Sequence, residues 1–199
     1  TDLTTDEAEP IIQEFEGKLA VAVVNSKNSV VLSGDTAVIK SLTTRLENEG
    51  RFAKEINVDV ASHSHHMSGI DEQLKQELNT LHPKNSEIPF YSTALNRIVK
   101  GEELDGNYWK NNLRNTVRFD GGVLHFLKQN DVLYVEMSPH PTLLHAINEN
   151  IDEVKKKAIA VGSLIREKDE RLAFYNHIGK VFESNGAFNW HLFFPSKGK

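Results

Sequence analysis

Leu19-AVAVVNSKNSVVLSG-Asp35 sets two short apolar runs around a polar turn. Leu19–Val24 is a β-branched run with strand character, Asn25–Asn28 has turn chemistry, and Val30–Ser33 is a second strand. Together they predict a β-hairpin. On its N-terminal side, residues 4–16 predict a helix. Thr4 or Thr5 can cap it, Asp6, Glu7 and Glu9 suit its first turn, Ile11, Ile12 and Phe15 share a face, and Gly17 stops it. On the C-terminal side, Asp35 is placed to cap a second helix with Val38, Ile39, Leu42 and Leu46 on one face and Gly50 at its end. Phe52–Val60, alternating at Ile56, Val58 and Val60, predicts a third strand. Helix, strand, strand, helix, strand is a ferredoxin-like βαββαβ unit lacking its first strand. The missing strand would leave a sheet edge unpaired, and the chain begins at Thr1 rather than methionine, so a fragment of a longer protein is expected.

Beyond residue 60 the pattern changes. Ile70, Leu74, Leu78 and Leu81 form a helical stripe ending at Pro83, and Ile88–Ser92 reads as a short strand. Asn107–Arg114 and Gly122–Leu127 predict helices, Val132–Glu136 a strand, Thr142–Asn148 a helix, Ala158–Val161 a strand and Arg171–Phe182 a terminal helix. An aromatic tail, Phe188-Asn-Trp-His-Leu-Phe-Phe194, follows. Strands alternating with helices point to a parallel layer, and the fold class is α/β. Lys155-Lys-Lys157 reads as a solvated charge cluster.

Composition narrows the function. Of 199 residues, 39% are hydrophobic and 26% charged, which is globular composition. The absence of cysteine excludes disulfides, thiolate metal sites and a cysteine nucleophile. A net charge of −5 argues against nucleic acid as a partner. No apolar run approaches the ~20 residues of a membrane span, no signal peptide is present, and a cytoplasmic location is expected.

Val60-Ala-Ser-His-Ser-His-His-Met67 is the densest chemical stretch, at the end of a predicted strand where side chains reach the mouth of an α/β sheet. Three histidines in four residues invite a metal reading, but no HExxH is present. The favoured reading leaves His65 and His66 exposed in the first turn of a helix, with no metal. A single histidine as general base would need a serine nucleophile, usually on a GxSxG elbow. None exists here: Val161-Gly-Ser163 lacks the second glycine, and Leu32-Ser-Gly34 lies in the hairpin. Tyr108 and Trp109 are expected to anchor a helix in the core, and His125 and His145 to lie on helix surfaces or in packing.

Five segments resemble, in order, the acyltransferase domains of modular polyketide synthases, related to malonyl-CoA:acyl-carrier-protein transacylase. They are Leu19–Thr36, Val58-DVASHSHH-Met67, Tyr108-WKNNLRNTVR-Phe119, Val135-EMSPHPTL-Leu144 and Val161-GSL-Ile165. The resemblance implies a hydrolase-like α/β lobe carrying a ferredoxin-like lobe. Residues 1–60 would be part of the small subdomain, 61–165 the C-terminal part of the large one, and 166–199 a terminal helix and linker. The family's GHSxG serine, its carboxylate-binding arginine and its oxyanion glutamine match nothing in these 199 residues, so the chain alone is expected to be inactive.

By the same resemblance, His63 is the general base and Asn112 supplies the backbone carbonyl that orients it. Val60, Ala61 and Ser62 match the segment that selects the extender unit, and the serine leans toward methylmalonyl over malonyl. His140 shapes a turn between two prolines. The substrates implied are malonyl-CoA or methylmalonyl-CoA, and the acceptor is an acyl carrier protein bearing phosphopantetheine. No cofactor is bound by the domain itself. Other partners implied are the upstream part of the same domain and a neighbouring ketosynthase. The competing reading is a nucleophile-free remnant that serves as a docking module.

Overall fold

Thr4 opens the first helix with a capping box: its hydroxyl accepts from the Glu7 N–H (3.1 Å), and the Glu7 carboxylate accepts from the Thr4 N–H (2.8 Å). This helix, α1 (Thr5–Glu14), ends as Glu16 and Gly17 take positive φ (47° and 80°) and turn the chain into the hairpin. Strands β1 (Leu19–Ser26) and β2 (Ser29–Gly34) pair antiparallel from Leu19↔Gly34 to Ser26↔Ser29. The turn is shorter than the expected Asn25–Asn28, because pairing extends through Ser26 and leaves Lys27-Asn28 to close it. Helix α2 (Thr36–Asn48) follows, and Gly50 takes φ +75° just beyond it. The coordinates are a computed structural model and describe residues 1–129, 132–184, 189 and 191. Most of the aromatic tail therefore lies outside the described residues.

The apolar faces expected of α1 and α2 meet the hairpin. Leu3, Ala8, Leu19, Val24, Val30, Leu42, Leu46 and Ala53 form the buried cluster, with Ile11, Ile12, Phe15, Val38 and Ile39 packed around it. Burying each leucine or valine of this cluster contributes about 1.5–3 kcal/mol.

The strand expected over Phe52–Val60 does not form. Ile56, Val58 and Val60 alternate as a strand would, yet all are exposed (62%, 66% and 60%). The reason is at the sheet edge. Thr1 exchanges backbone hydrogen bonds with Val30 of β2, its amino group donating (2.9 Å) and its carbonyl accepting (3.2 Å). Asp2 then receives Phe52: its N–H donates to the Phe52 carbonyl, and its carboxylate accepts from the Phe52 N–H, each at 3.2 Å. The N-terminal dipeptide thus bonds to β2 on one side and to Phe52 on the other, and residues beyond Phe52 join no described strand.

Past a single 3₁₀ turn at His65–Met67 come α3 (Ile70–Glu77), the short hairpin β3 (Phe90–Ser92) and β4 (Arg97–Val99), and α4 (Gly106–Arg114). The Asp105 carboxylate caps α4 by accepting from the Tyr108 N–H (2.9 Å). Tyr108 is buried, its hydroxyl 3.1 Å from Ser92 Oγ, as expected of a core anchor. Trp109 departs from expectation. It stays half-exposed, edge-on to Tyr108, because its indole N–H donates to the Leu104 carbonyl at the surface (3.0 Å). Strand β5 (Val117–Arg118) joins β1 in parallel, giving the order β2-β1-β5, and α5 (Phe119–Phe126) follows. His125 packs against Tyr91 and Phe126.

Residues 1–128 form one compact unit and 129–199 another. Strand β5 pairs with β1, and Thr116 Oγ1 donates to the Val21 carbonyl (2.8 Å), so residues 61–128 are bound to the hairpin. In the second unit β6 (Val132–Glu136) and β7 (Ala158–Gly162) run parallel, connected through α6 (Leu144–Val154), with α7 (Glu170–Glu183) packed on β7. This is the α/β layering the sequence predicts. Glu136 accepts from the Thr142 and Leu143 N–H groups (2.8 and 2.9 Å) and from Ser138 Oγ (3.0 Å). Burial alone would raise its carboxyl, but these donors hold it below the usual range. Ser163 Oγ donates to the Ser138 carbonyl and accepts from its N–H (2.8 and 2.9 Å), so the Ser-Pro-His-Pro and Val-Gly-Ser segments are knit together structurally. His140 fits this, its Nδ1 accepting from the Arg166 N–H at 3.4 Å. His145 is exposed and faces Glu149.

Acid should loosen the first unit. Arg51 binds the Glu7 carboxylate (2.9 Å), and that pairing, with the Thr4 N–H and hydroxyl, lowers the Glu7 carboxyl from 4.5 to about 2. Glu103 is held at about 2 chiefly by Arg97, helped by the Lys100 N–H. A carboxyl whose folded value lies below its unfolded one stabilises the fold above the unfolded value, and the contribution disappears as pH falls through the folded value. Denaturation midpoints should therefore fall between pH of about 4.5 and about 2, and Glu7→Gln should flatten that fall. Equal slopes in wild type and Glu7→Gln would remove Glu7 from the explanation.

Candidate active site

The site begins where α4 ends. Asn115 follows its last turn with extended backbone (φ −83°, ψ 155°), and its N–H still donates to the Asn111 carbonyl (2.8 Å). Its own carbonyl therefore leaves the helical ladder and is free for another donor. The Thr116 bond to Val21 and the pairing of Val117 with Val23 hold this helix end against β1.

His63 docks onto that end twice. Its backbone N–H donates to the Leu113 carbonyl (3.0 Å), and its ring Nδ1 lies 2.8 Å from the Asn115 carbonyl. Its φ of 59° is left-handed, a conformation uncommon outside glycine that persists where surrounding contacts over-determine it. The turn is braced from below by the fully buried Ser64, whose hydroxyl donates to the Ala61 carbonyl (2.6 Å) and accepts from the His66 N–H (3.3 Å). Met67, also buried, closes the turn.

A carbonyl can only accept, so Nδ1 donates to it, and in the neutral tautomer that this contact selects, Nε2 carries the lone pair that can take a proton. The carbonyl responsible corrects the expectation: it belongs to Asn115, not Asn112. Both carbonyls that His63 meets, those of Leu113 and Asn115, belong to the end of α4, where helix carbonyls lose their intrahelical donors, and the ring nitrogen reaches the second of them.

His63 lines a cavity of ≈ 1160 Å³ shared with Val60, Ala61 and Ser62. The end of β2 and the start of α2 also line it, with Leu32, Gly34 and Asp35. His63 and the three residues before it thus border one cavity. His65 and His66 lie in the 3₁₀ turn, half-buried and exposed respectively, and both face Asp35. His66 Nε2 is 2.9 Å and His65 Nε2 3.6 Å from Asp35 Oδ1. Asp35 occupies the N-cap position of α2, but its side chain makes no capping hydrogen bond. Sequence reasoning missed Asn115, Leu113 and Ser64 as supports of His63. The one available signal was the change from helix to strand between Arg114 and Val117.

Comparison with known proteins agrees with this geometry. The acyl transferase domain family model matches residues 2–187. Polyketide synthase GfsB of Streptomyces halstedii is 36% identical over 194 residues, covering 97% of this chain and 4% of that protein. Erythronolide synthase EryA2 of Saccharopolyspora erythraea is 32% identical over 186 residues, covering 92% and 5%. Among solved structures, the acyltransferase domain from module 8 of the salinomycin polyketide synthase superposes with a TM-score of 0.91 at 33% identity, covering 95% of this chain and 45% of that one. A loading acyltransferase from the avermectin modular polyketide synthase gives 0.85 at 32% identity, covering 91% and 57%. The chain spans about half of each solved domain and a small fraction of each synthase. With the motif order, the fold and the histidine at the cavity in agreement, the chain belongs to the acyl transferase domain family.

Proposed function

We propose that these residues form part of a polyketide synthase acyltransferase that moves malonyl or methylmalonyl units from coenzyme A to an acyl carrier protein through an acyl-serine. No GHSxG segment occurs in the 199 residues, so the serine is supplied by sequence outside them. The observation that carries the reading is the 2.8 Å contact from His63 Nδ1 to the Asn115 carbonyl at the wall of a large cavity.

In the first half-reaction Nε2 takes the serine hydroxyl proton as Oγ attacks the thioester carbonyl. Collapse of the tetrahedral intermediate breaks the C–S bond, and the coenzyme A sulfur leaves with that proton. In the second, Nε2 accepts the proton of the phosphopantetheine thiol as its sulfur attacks the acyl-serine. The C–O bond breaks and serine Oγ recovers the proton. A docking module without a nucleophile is the second reading, favoured only by the missing GHSxG, and it predicts that the parent protein encodes no GHSxG serine ahead of these residues.

Specificity offers a test. Ser62 precedes the base and lines the same cavity, and on this reading a phenylalanine ring there would compete with an α-methyl branch. In a complete domain carrying these residues, Ser62→Phe should lower the methylmalonyl-to-malonyl ratio of kcat/KM by about 1–2 kcal/mol, roughly tenfold, because neighbouring side chains repack in part. Competition between the two thioesters reads the ratio directly. An unchanged ratio with activity retained would place Ser62 away from the acyl group.

A further inference from the structure

We propose that Asp35, His65 and His66 form a binding site for a divalent first-row cation of the zinc class. One ligand atom from each lies within 4.8 Å of the other two. Asp35 Oδ1 stands 2.9 Å from His66 Nε2 and 3.6 Å from His65 Nε2. Ligands at 2.0–2.1 Å around a tetrahedral zinc ion are about 3.4 Å from one another, and the two spacings to Asp35 lie on either side of that value. Two imidazoles and a carboxylate are the donor set of open zinc sites, in which a fourth position stays free for water.

A second set of observations concerns what these groups leave undone. Asp35 sits where a carboxylate ordinarily accepts from the N–H groups of a helix start, yet its side chain caps nothing. His65 Nδ1 is shielded from solvent without a hydrogen-bond partner, and its Nε2 faces Asp35 beyond hydrogen-bond distance. The two rings lie 4.1 Å apart, centroid to centroid. Local structure therefore holds three donor groups together while using few of their bonds. Asp35 comes from the junction of β2 and α2, and the histidines come from the turn after His63. A cation here would tie the hairpin to the turn that carries the base. Asp35 and His66 also line the cavity that His63 lines, which gives an entry path.

The test is equilibrium binding of zinc to the metal-stripped protein in a non-coordinating buffer, repeated with cobalt for its ligand-field absorption. One equivalent of zinc should bind, raise the thermal midpoint, and give cobalt the intense visible bands of tetrahedral coordination. His65→Ala and His66→Ala should each weaken binding by at least about tenfold and abolish the cobalt bands. Asp35→Asn should do the same, and if it compromises folding, the two histidine variants decide. His82→Ala and His145→Ala, at exposed positions, should bind as wild type. Circular dichroism of the metal-free variants separates lost binding from lost fold. No saturable binding, or equal binding in folded His65→Ala and His66→Ala, would overturn the proposal.

Discussion

His63→Ala, made in a complete acyltransferase domain carrying these residues, should reduce transfer to the carrier protein by about 10²–10⁴-fold, the usual worth of a positioned general base. The loss should appear in both half-reactions, because the same Nε2 accepts a proton from the serine and later from the carrier thiol. Single-turnover acylation and deacylation measured separately would show this. His82→Ala provides the comparison and should retain wild-type rates. A His63→Ala domain that acylates normally and slows only in transfer would assign the serine another base.

The largest effect on stability is expected at Leu46. It lies on the inner face of α2, 2% exposed, inside the cluster shared by both helices and the hairpin. Truncation removes buried methyl groups and leaves a cavity that rigid neighbours cannot fill, so Leu46→Ala should cost about 2–5 kcal/mol. Val58→Ala changes a side chain that is 66% exposed and should stay within about 0.5 kcal/mol. Urea denaturation of the two variants beside wild type measures the contrast. A loss under about 1 kcal/mol at Leu46 would show that the first unit's core is not organised around α2.

Local periodicity made much of the fold legible. The apolar faces of α1 and α2, the hairpin and the β6–α6–β7 unit follow from residue spacing and caps that act within a few positions. Phe52–Val60 shows the limit. Its period-two pattern is real, but a strand also needs a partner along its length, and the described backbone pairing of this segment is at Phe52, with Asp2. Strand β4 went unread because three residues, Arg97–Val99, carry too little pattern to separate from a turn.

At the site, His63 was legible because side-chain chemistry and motif order coincide there. Asn115 was not, since it acts through a backbone carbonyl, which any residue type supplies. Asp35 was hidden for a different reason, its tertiary placement. Its position at a helix start suggested a cap, and only the fold brings it to the two histidines.

The most direct measurement is intact mass after incubation with malonyl-CoA or methylmalonyl-CoA, on the 199-residue chain and on a complete domain that joins it to a GHSxG segment. The complete domain should gain one acyl group on the elbow serine, and the 199-residue chain should gain none. An adduct on a serine of the 199-residue chain, or no adduct on the complete domain, would contradict the assignment of these residues as the base-bearing part of an acyltransferase.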